Sequence, residues 1–530
     1  MAESKLSYTA LALGALLSVI VAAYSAYAGL KVGGLYWPIV TTSLISLAVL
    51  GVFGKARKNN VNVMQTAGSS GGLLAGGIIF TIPAAMMLGM QISYMEILVI
   101  SLVGGILGVL FSYPLRKQLI ERENLPCADG TAAAALINAG DRGGRETHAL
   151  IYSFGAGALF SLARDFLKVL PPYVNLESLK ISAGKVFSLG SSISLIPLAG
   201  GFLIGWRFTA AWFLGAIFTY FVIIPYALTA ALFADKFAVV SGIARPLGVG
   251  MVLGSAIMYF ILKGLPQMGR LVESYDSRGI GRIAGTSLIV CAGVMAIVLN
   301  LDWPLSILAI MGAFAMSYVA GRSTGEMNVD PMEIYAMLVL IAAKLLITQS
   351  ALPLVILAAI VTIAAGMAGD MMQDLKAGYI LGTKLEHQMV AQLVGLVAAS
   401  LAIGIVLLSI QHSGGIGGID FPAPQAVAIK ELISAEGIPQ MLGFGAAVGA
   451  VITLIAFRFR KGLGLAPVAF GIGMYVPMEL SLPLFIGGFI RYNAEKRKIA
   501  DRARLVAGGI IAGEGIVGVG LSLLGFMGLL

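Results

Sequence analysis

Gly369-Asp370-Met371-Met372-Gln373-Asp374-Leu375-Lys376-Ala377-Gly378-Tyr379 sets two carboxylates, an amide and an ammonium directly behind a run from Leu345 to Gly369 that carries no charge. An uncharged run of that length reads as a membrane-spanning helix. The polar group therefore sits at the end of a span or inside the bilayer. In a helix, Asp370, Gln373 and Asp374 fall at i, i+3 and i+4 and share one face. Ionisable groups at membrane depth are costly and face a bundle interior or a water-filled cavity. Two readings stand: a substrate or proton site, or a polar helix end in the headgroup region.

The rest of the chain agrees with a membrane setting. Of 530 residues, 58% are hydrophobic and 12% charged, with a mean hydropathy of +0.93. A soluble domain carries roughly 25% charged residues. The composition predicts an all-α polytopic membrane protein, its helices brought close by many of the 68 glycines. The net charge of +9 lies mainly in short loops, the pattern of cytoplasmic loops rather than of nucleic-acid binding. Cys127 and Cys291 have no metal spacing and suggest no disulfide framework. His148, His387 and His412 lie far apart, so neither a protein-borne metal site nor a cofactor is expected. His-Glu-x-x-His, a Gly-x-Ser-x-Gly with a His partner and an aspartate-rich pyrophosphate motif are all missing, which argues against an enzyme. A channel remains a remote alternative.

The predicted spans follow the charges. Residues 6–30 are uncharged, longer than a signal-peptide core, and form the first span. The second, 32–54, ends at Lys55, Arg57 and Lys58. That basic loop is expected to be cytoplasmic, and so, two spans earlier, is the amino terminus. Asn62-Val63-Met64-Gln65-Thr66-Ala67-Gly68-Ser69-Ser70-Gly71-Gly72 is poor lipid-facing material and reads as a broken helix lining a substrate path or as close helix packing. Leu125-Pro126-Cys127-Ala128-Asp129-Gly130-Thr131-Ala132 leads into a segment too short to cross, hence re-entrant or interfacial. Further spans are predicted near 97–115, 147–166, 186–206, 208–234 and 247–262. The polar stretch 263–282 is the candidate linker between two bundle halves, 1–265 and 266–530.

The second half repeats the pattern, with spans near 283–301, 304–321, 332–350, 351–369, 390–410, 438–457 and 505–530. Residues 321–331 read as a polar loop, as do Lys384 and His387. Lys344 reads as snorkelling from a helix end. Pro477 and Pro483, with Gly471 and Gly473, predict a broken element in 462–490. Glu514 is the one charge in the last apolar run and reads either as a proton or substrate-amine site or as a structural hydrogen bond. Asn62-Val63-Met64-Gln65 matches Asp370-Met371-Met372-Gln373 in type and place, and Leu125–Ala132 matches Phe421–Ala426 loosely. Each half holds about eight apolar segments, so two related halves from an internal duplication are expected.

Taken together, the Asn62 and Leu125 stretches, Asp370-Met371-Met372-Gln373-Asp374-Leu375-Lys376-Ala377-Gly378-Tyr379, Pro477-Met478-Glu479-Leu480-Ser481-Leu482-Pro483 and Ala512-Gly513-Glu514-Gly515 resemble the oligopeptide transporter (OPT) family, which includes the yellow stripe-like metal-chelate transporters. The resemblance covers nearly the whole chain in order. It implies a secondary transporter of the cell membrane, typically proton-coupled, with about sixteen helical segments including broken or re-entrant ones. It implies short peptides as substrate or, alternatively, metal chelates, with protons and the lipid bilayer as further partners, and it leaves a homodimer open. Carried over by motif, the substrate-binding residues are Asn62, Gln65, Asp370, Gln373, Asp374, Lys376 and Glu514, with Glu514 and Asp374 as proton-coupling acids. In this reading a substrate ammonium meets Asp370, Asp374 or Glu514, and a substrate carboxylate meets Lys376 or a helix amino end.

Overall fold

A computed structural model describes residues 6–33, 38–138, 140, 144–175, 190–264, 280–327, 330, 332–347, 350–434, 440–459 and 466–529. Helices dominate them. In chain order these are α1 (Tyr8–Val32), α2 (Ile39–Val52), α3 (Lys58–Ile79), α4 (Ile82–Met87), α5 (Tyr94–Leu115), α6 (Ala128–Asn138) and α7 (Gly144–Ser161). A two-stranded antiparallel ribbon follows, β1 (Tyr173–Asn175) on β2 (Gly190–Ser192). Then come α8 (Leu195–Ile204), α9 (Trp206–Thr229) and α10 (Lys236–Leu262). The remainder is α11 (Ile280–Ile297), α12 (Trp303–Met327), α13 (Met332–Leu346), α14 (Ala351–Leu381) and α15 (Leu385–Gly414), then α16 (Pro424–Ser434), α17 (Gln440–Phe459), α18 (Ala466–Tyr475), α19 (Met478–Lys496) and α20 (Ala500–Phe526). Among the described residues, ten helices are long and apolar enough to cross a membrane; shorter apolar helices fill the space between them. The fold is all-α and multi-pass, as expected. The predicted linker falls largely on 265–279, which lies outside the described residues.

The packing pairs elements across the two halves of the chain. α3 packs on α1 as α14 packs on α12. α5 lies on α14 while α15 lies on α3, α7 on α20 while α17 lies on α10, and α8 on α19 while α18 lies on α9. The short helices α6 and α16 share one entry geometry. Cys127, just before α6, has φ 40° and donates its N–H to the Gly325 carbonyl near the end of α12. Ala423, just before α16, has φ 43° and donates its N–H to the Leu30 carbonyl near the end of α1. Non-glycine residues rarely adopt positive φ, so two such residues in matching places mark one local design used twice.

Several predicted boundaries move. The Asp370 group lies inside α14, which continues to Leu381 and stops at Gly382, φ 73°. The Asn62 stretch is not broken: α3 is helical through Ile79, and the interruption comes at Phe80–Thr81. Gln65, Ser69 and Ser70 find partners on neighbouring helices, so the helix carries these polar side chains without breaking. Its glycines serve packing, since a Cβ on Gly71 would lie 1.9 Å from the Ser18 carbonyl oxygen of α1. Much of the predicted loop 321–331 is the last turns of α12. Lys384 caps α15, and His387 lies in its first turn. In 186–206 the helical residues are Leu195–Ile204, behind β2, and Trp206, which starts α9, with 186–189 outside the described residues. Lys344 does not snorkel; its Nζ donates to the Leu432 and Ile433 carbonyls at 2.7 and 2.9 Å and caps α16. The predicted break in 462–490 is present at Val476–Pro477. Gly473 serves packing instead, its Cβ position 1.9 Å from the Trp212 carbonyl oxygen.

Candidate functional site

α3 and α14 pack against each other, and α3 is buried from Val61 to Ile79. Asn62, Gln65, Thr66 and Ser69 recur at helical spacing and form a polar stripe on this face. Asn62 Nδ2 donates to Gln65 Oε1 at 3.1 Å. Gln65 Nε2 donates to Asp374 Oδ1 at 2.5 Å, and Ser69 Oγ donates to Asp374 Oδ2 at 2.6 Å. Both oxygens of a fully buried carboxylate are thus held by neutral donors from a different helix. Gln388 of α15 adds a bond from its Nε2 to the Asp374 carbonyl at 2.6 Å.

The adjacent residue, Gln373, ties α14 to the short helix α6 and to α12. Its Oε1 accepts from the Gly130 N–H at 2.9 Å, and its Nε2 donates to the Thr324 carbonyl at 3.1 Å. Gly130 has no alternative here, because a Cβ would lie 2.1 Å from the Gln373 carbonyl oxygen. Lys376 Nζ donates to Asn124 Oδ1 at 2.8 Å.

Asp370 is different. It is fully buried, and neither carboxylate oxygen has a hydrogen-bond partner among the described residues. The carboxylates of Asp330, Asp374 and Asp129 are within electrostatic reach, and the Thr324 side chain lies alongside. Asp330 packs against Gly369, where a Cβ would sit 2.4 Å from Asp330 Oδ2. In the sequence Asp330 reads only as a loop residue; its place beside α14 comes from the tertiary structure, and no periodicity in the sequence signals it.

Glu514 stands in a second, separate network. Its Oε1 accepts from Arg164 Nη1 at 2.7 Å and Ser194 Oγ at 2.6 Å; its Oε2 accepts from the N–H groups of Leu195 and Ile196 at 2.9 and 3.1 Å. The carboxylate therefore caps the amino end of α8 and pairs a buried guanidinium. None of the other six sequence-predicted residues is among these partners. Arg164 and Ser194 escaped sequence reasoning because they come from distant segments with ordinary local patterns. Among the described residues, no group of three or more His, Cys, Asp or Glu side chains is arranged to hold a metal ion.

A family model described as OPT oligopeptide transporter protein matches residues 5–265 and 275–524. The chain belongs to the OPT family. It is accordingly a transporter and not an enzyme. A Haemophilus influenzae protein named as an oligopeptide transporter is 27% identical over 93% of this chain and 91% of its own length. A Saccharomyces cerevisiae protein named as an oligopeptide transporter is 27% identical over 40% of this chain and 32% of its own. A protein of Oryza sativa subsp. japonica named as a metal-nicotianamine transporter is 24% identical over 30% of this chain and 26% of its own. The family match breaks between 265 and 275, inside the predicted linker.

Proposed function

We propose that this OPT-family member is a proton-coupled symporter of short peptides in the cytoplasmic membrane, with its amino terminus in the cytoplasm and two halves related by duplication. The observation that supports the coupling is Asp370, a buried carboxylate with no hydrogen-bond partner among the described residues, one turn from an acid that is fully held. A buried charge without a partner is expensive. Protonation removes that cost, so the proton occupancy of Asp370 changes the relative stability of a closed and a hydrated arrangement. Asp374 links α14 to α3 and transmits the change between the halves. Glu514, with its donors in place, serves as an anchor for α8 rather than as the coupling acid.

The cross-paired helices support the rest. Rocking of one set against the other around a midplane site is the usual route to alternating access in duplicated carriers. A second reading, transport of metal chelates, is favoured by the plant relatives, whose match covers a smaller share of the chain.

Uptake into proteoliposomes under an imposed proton gradient tests the proposal. Labelled dialanine should accumulate above its equilibrium level and leak back when a protonophore is added. Accumulation of an iron–nicotianamine complex alone would select the second reading. Downhill equilibration with no response to the gradient would remove proton coupling.

A further inference from the structure

A cavity among the described residues is lined by none of the buried acids of α14. It occupies about 240 Å³ between α9, the start of α10, the segment before α16 and the α18–α19 break. None of the seven residues named from sequence lines it. Its walls come from both sides of the predicted midpoint, where duplicated carriers place their substrates. They are mainly apolar, but charges of both signs line it: Arg245, Lys236 and Glu479, the last in the first turn of α19. Tyr220 joins them, set against the Met478 backbone and within electrostatic reach of both Glu479 and Arg245. Arg245 gives Nη1 to Glu431 at 3.2 Å, while its Nε has no acceptor among the described residues.

An apolar cavity with a few convergent polar groups is the usual form of a small-molecule site. Charges of both signs in one cavity select a ligand that itself carries both. The volume lies below the roughly 300–1,000 Å³ of drug-sized pockets, which favours a ligand of dipeptide size over a longer peptide. A metal chelate is a poorer match, because coordination uses the amine and carboxylates that the walls would grip. The break at Val476–Pro477 puts Glu479 on the first turn of α19 beside the cavity, so closure of the break would carry the acid with it.

We propose that this cavity is the substrate site, that Glu479 binds the α-ammonium of a dipeptide, and that Arg245 binds its carboxylate. The assignment rests on the peptide-carrier reading and adds to it that both termini must be free and charged. Glu479 and Arg245 are specificity-determining residues; the acids of α14 do not touch the ligand.

The test is equilibrium binding to the purified full chain in nanodiscs, using dialanine, N-acetyldialanine and dialanine amide, with proteoliposome uptake in parallel. Blocking either terminus should weaken binding by roughly tenfold or more, the scale of one charged hydrogen-bonding partner. In Glu479→Gln the penalty for acetylation should shrink while the penalty for amidation persists; Arg245→Gln should show the reverse. The wild-type comparison needs no variant, so a poorly folding Arg245→Gln does not spoil it. Equal binding of free and blocked dialanine, with dialanine uptake intact, would overturn the inference and leave the peptide carrier standing. Binding of an iron–nicotianamine complex with no binding of dialanine would overturn both.

Discussion

The carboxylates of this protein are distinguished by what holds them. Asp374 has two neutral donors, Glu514 has four donors including a guanidinium, and Asp370 has none among the described residues. Their substitutions should therefore separate. Asp370→Asn should abolish proton-driven accumulation yet retain substrate exchange across the membrane, measured as counterflow in proteoliposomes preloaded with unlabelled dialanine. Its thermal stability should be equal to wild type or higher, since no bonded partner is lost. Loss of exchange along with accumulation would instead place Asp370 in substrate binding. Arg164→Leu should do the opposite. It leaves Glu514 charged and buried without its ion-pair partner, a change of about 3–5 kcal/mol in comparable buried pairs. A clear fall in Tm in detergent is expected, with the pH dependence of the remaining uptake unchanged.

Helix contacts in this bundle depend on glycines whose missing side chains admit a neighbouring backbone. A Cβ on Gly254 of α10 would lie 1.8 Å from the Ala446 carbonyl oxygen of α17; a Cβ on Gly513 of α20 would lie 2.1 Å from the Phe154 carbonyl oxygen of α7. Alanine at either site forces the helix pair apart, and overpacking of this kind costs about 1–3 kcal/mol. Gly520, also on α20, meets nothing within 4 Å. Gly254→Ala and Gly513→Ala should both lower Tm and Gly520→Ala should not. A neutral Gly513→Ala would mean that α7 and α20 do not pack as described. Lys344 makes a similar point about elements: its two bonds to the end of α16 are invisible from its own helix, where it reads as a side chain reaching for the interface.

At the scale of the whole molecule, each half leaves helix faces that only the other half covers. α7 lies on α20, α17 on α10, α8 on α19 and α18 on α9. A chain split between the two family-matched segments should thus assemble when the pieces are co-expressed and copurify through a tag on one. Either piece alone should aggregate or be degraded, because the apolar faces meant for its partner stay uncovered. A stable, monodisperse 1–265 fragment would contradict the cross-paired packing.

Composition and charge spacing alone settled the class of this protein, since few alternatives exist for a chain so apolar and so poor in charge. The motif order identified the family, and the polar stretches of α3 and α14 pointed to residues that do meet, Gln65 with Asp374. The break before Glu479 was also legible, because proline removes a donor wherever it falls. The sequence could not say that the polar cluster lies within helices rather than at their ends, because a helix interior accepts polar side chains once neighbours satisfy them. Nor could it separate Asp370 from Glu514, two acids in similar apolar runs. That difference comes from Arg164, Ser194 and the start of α8 reaching one and not the other, and only the packing of segments hundreds of residues apart decides it.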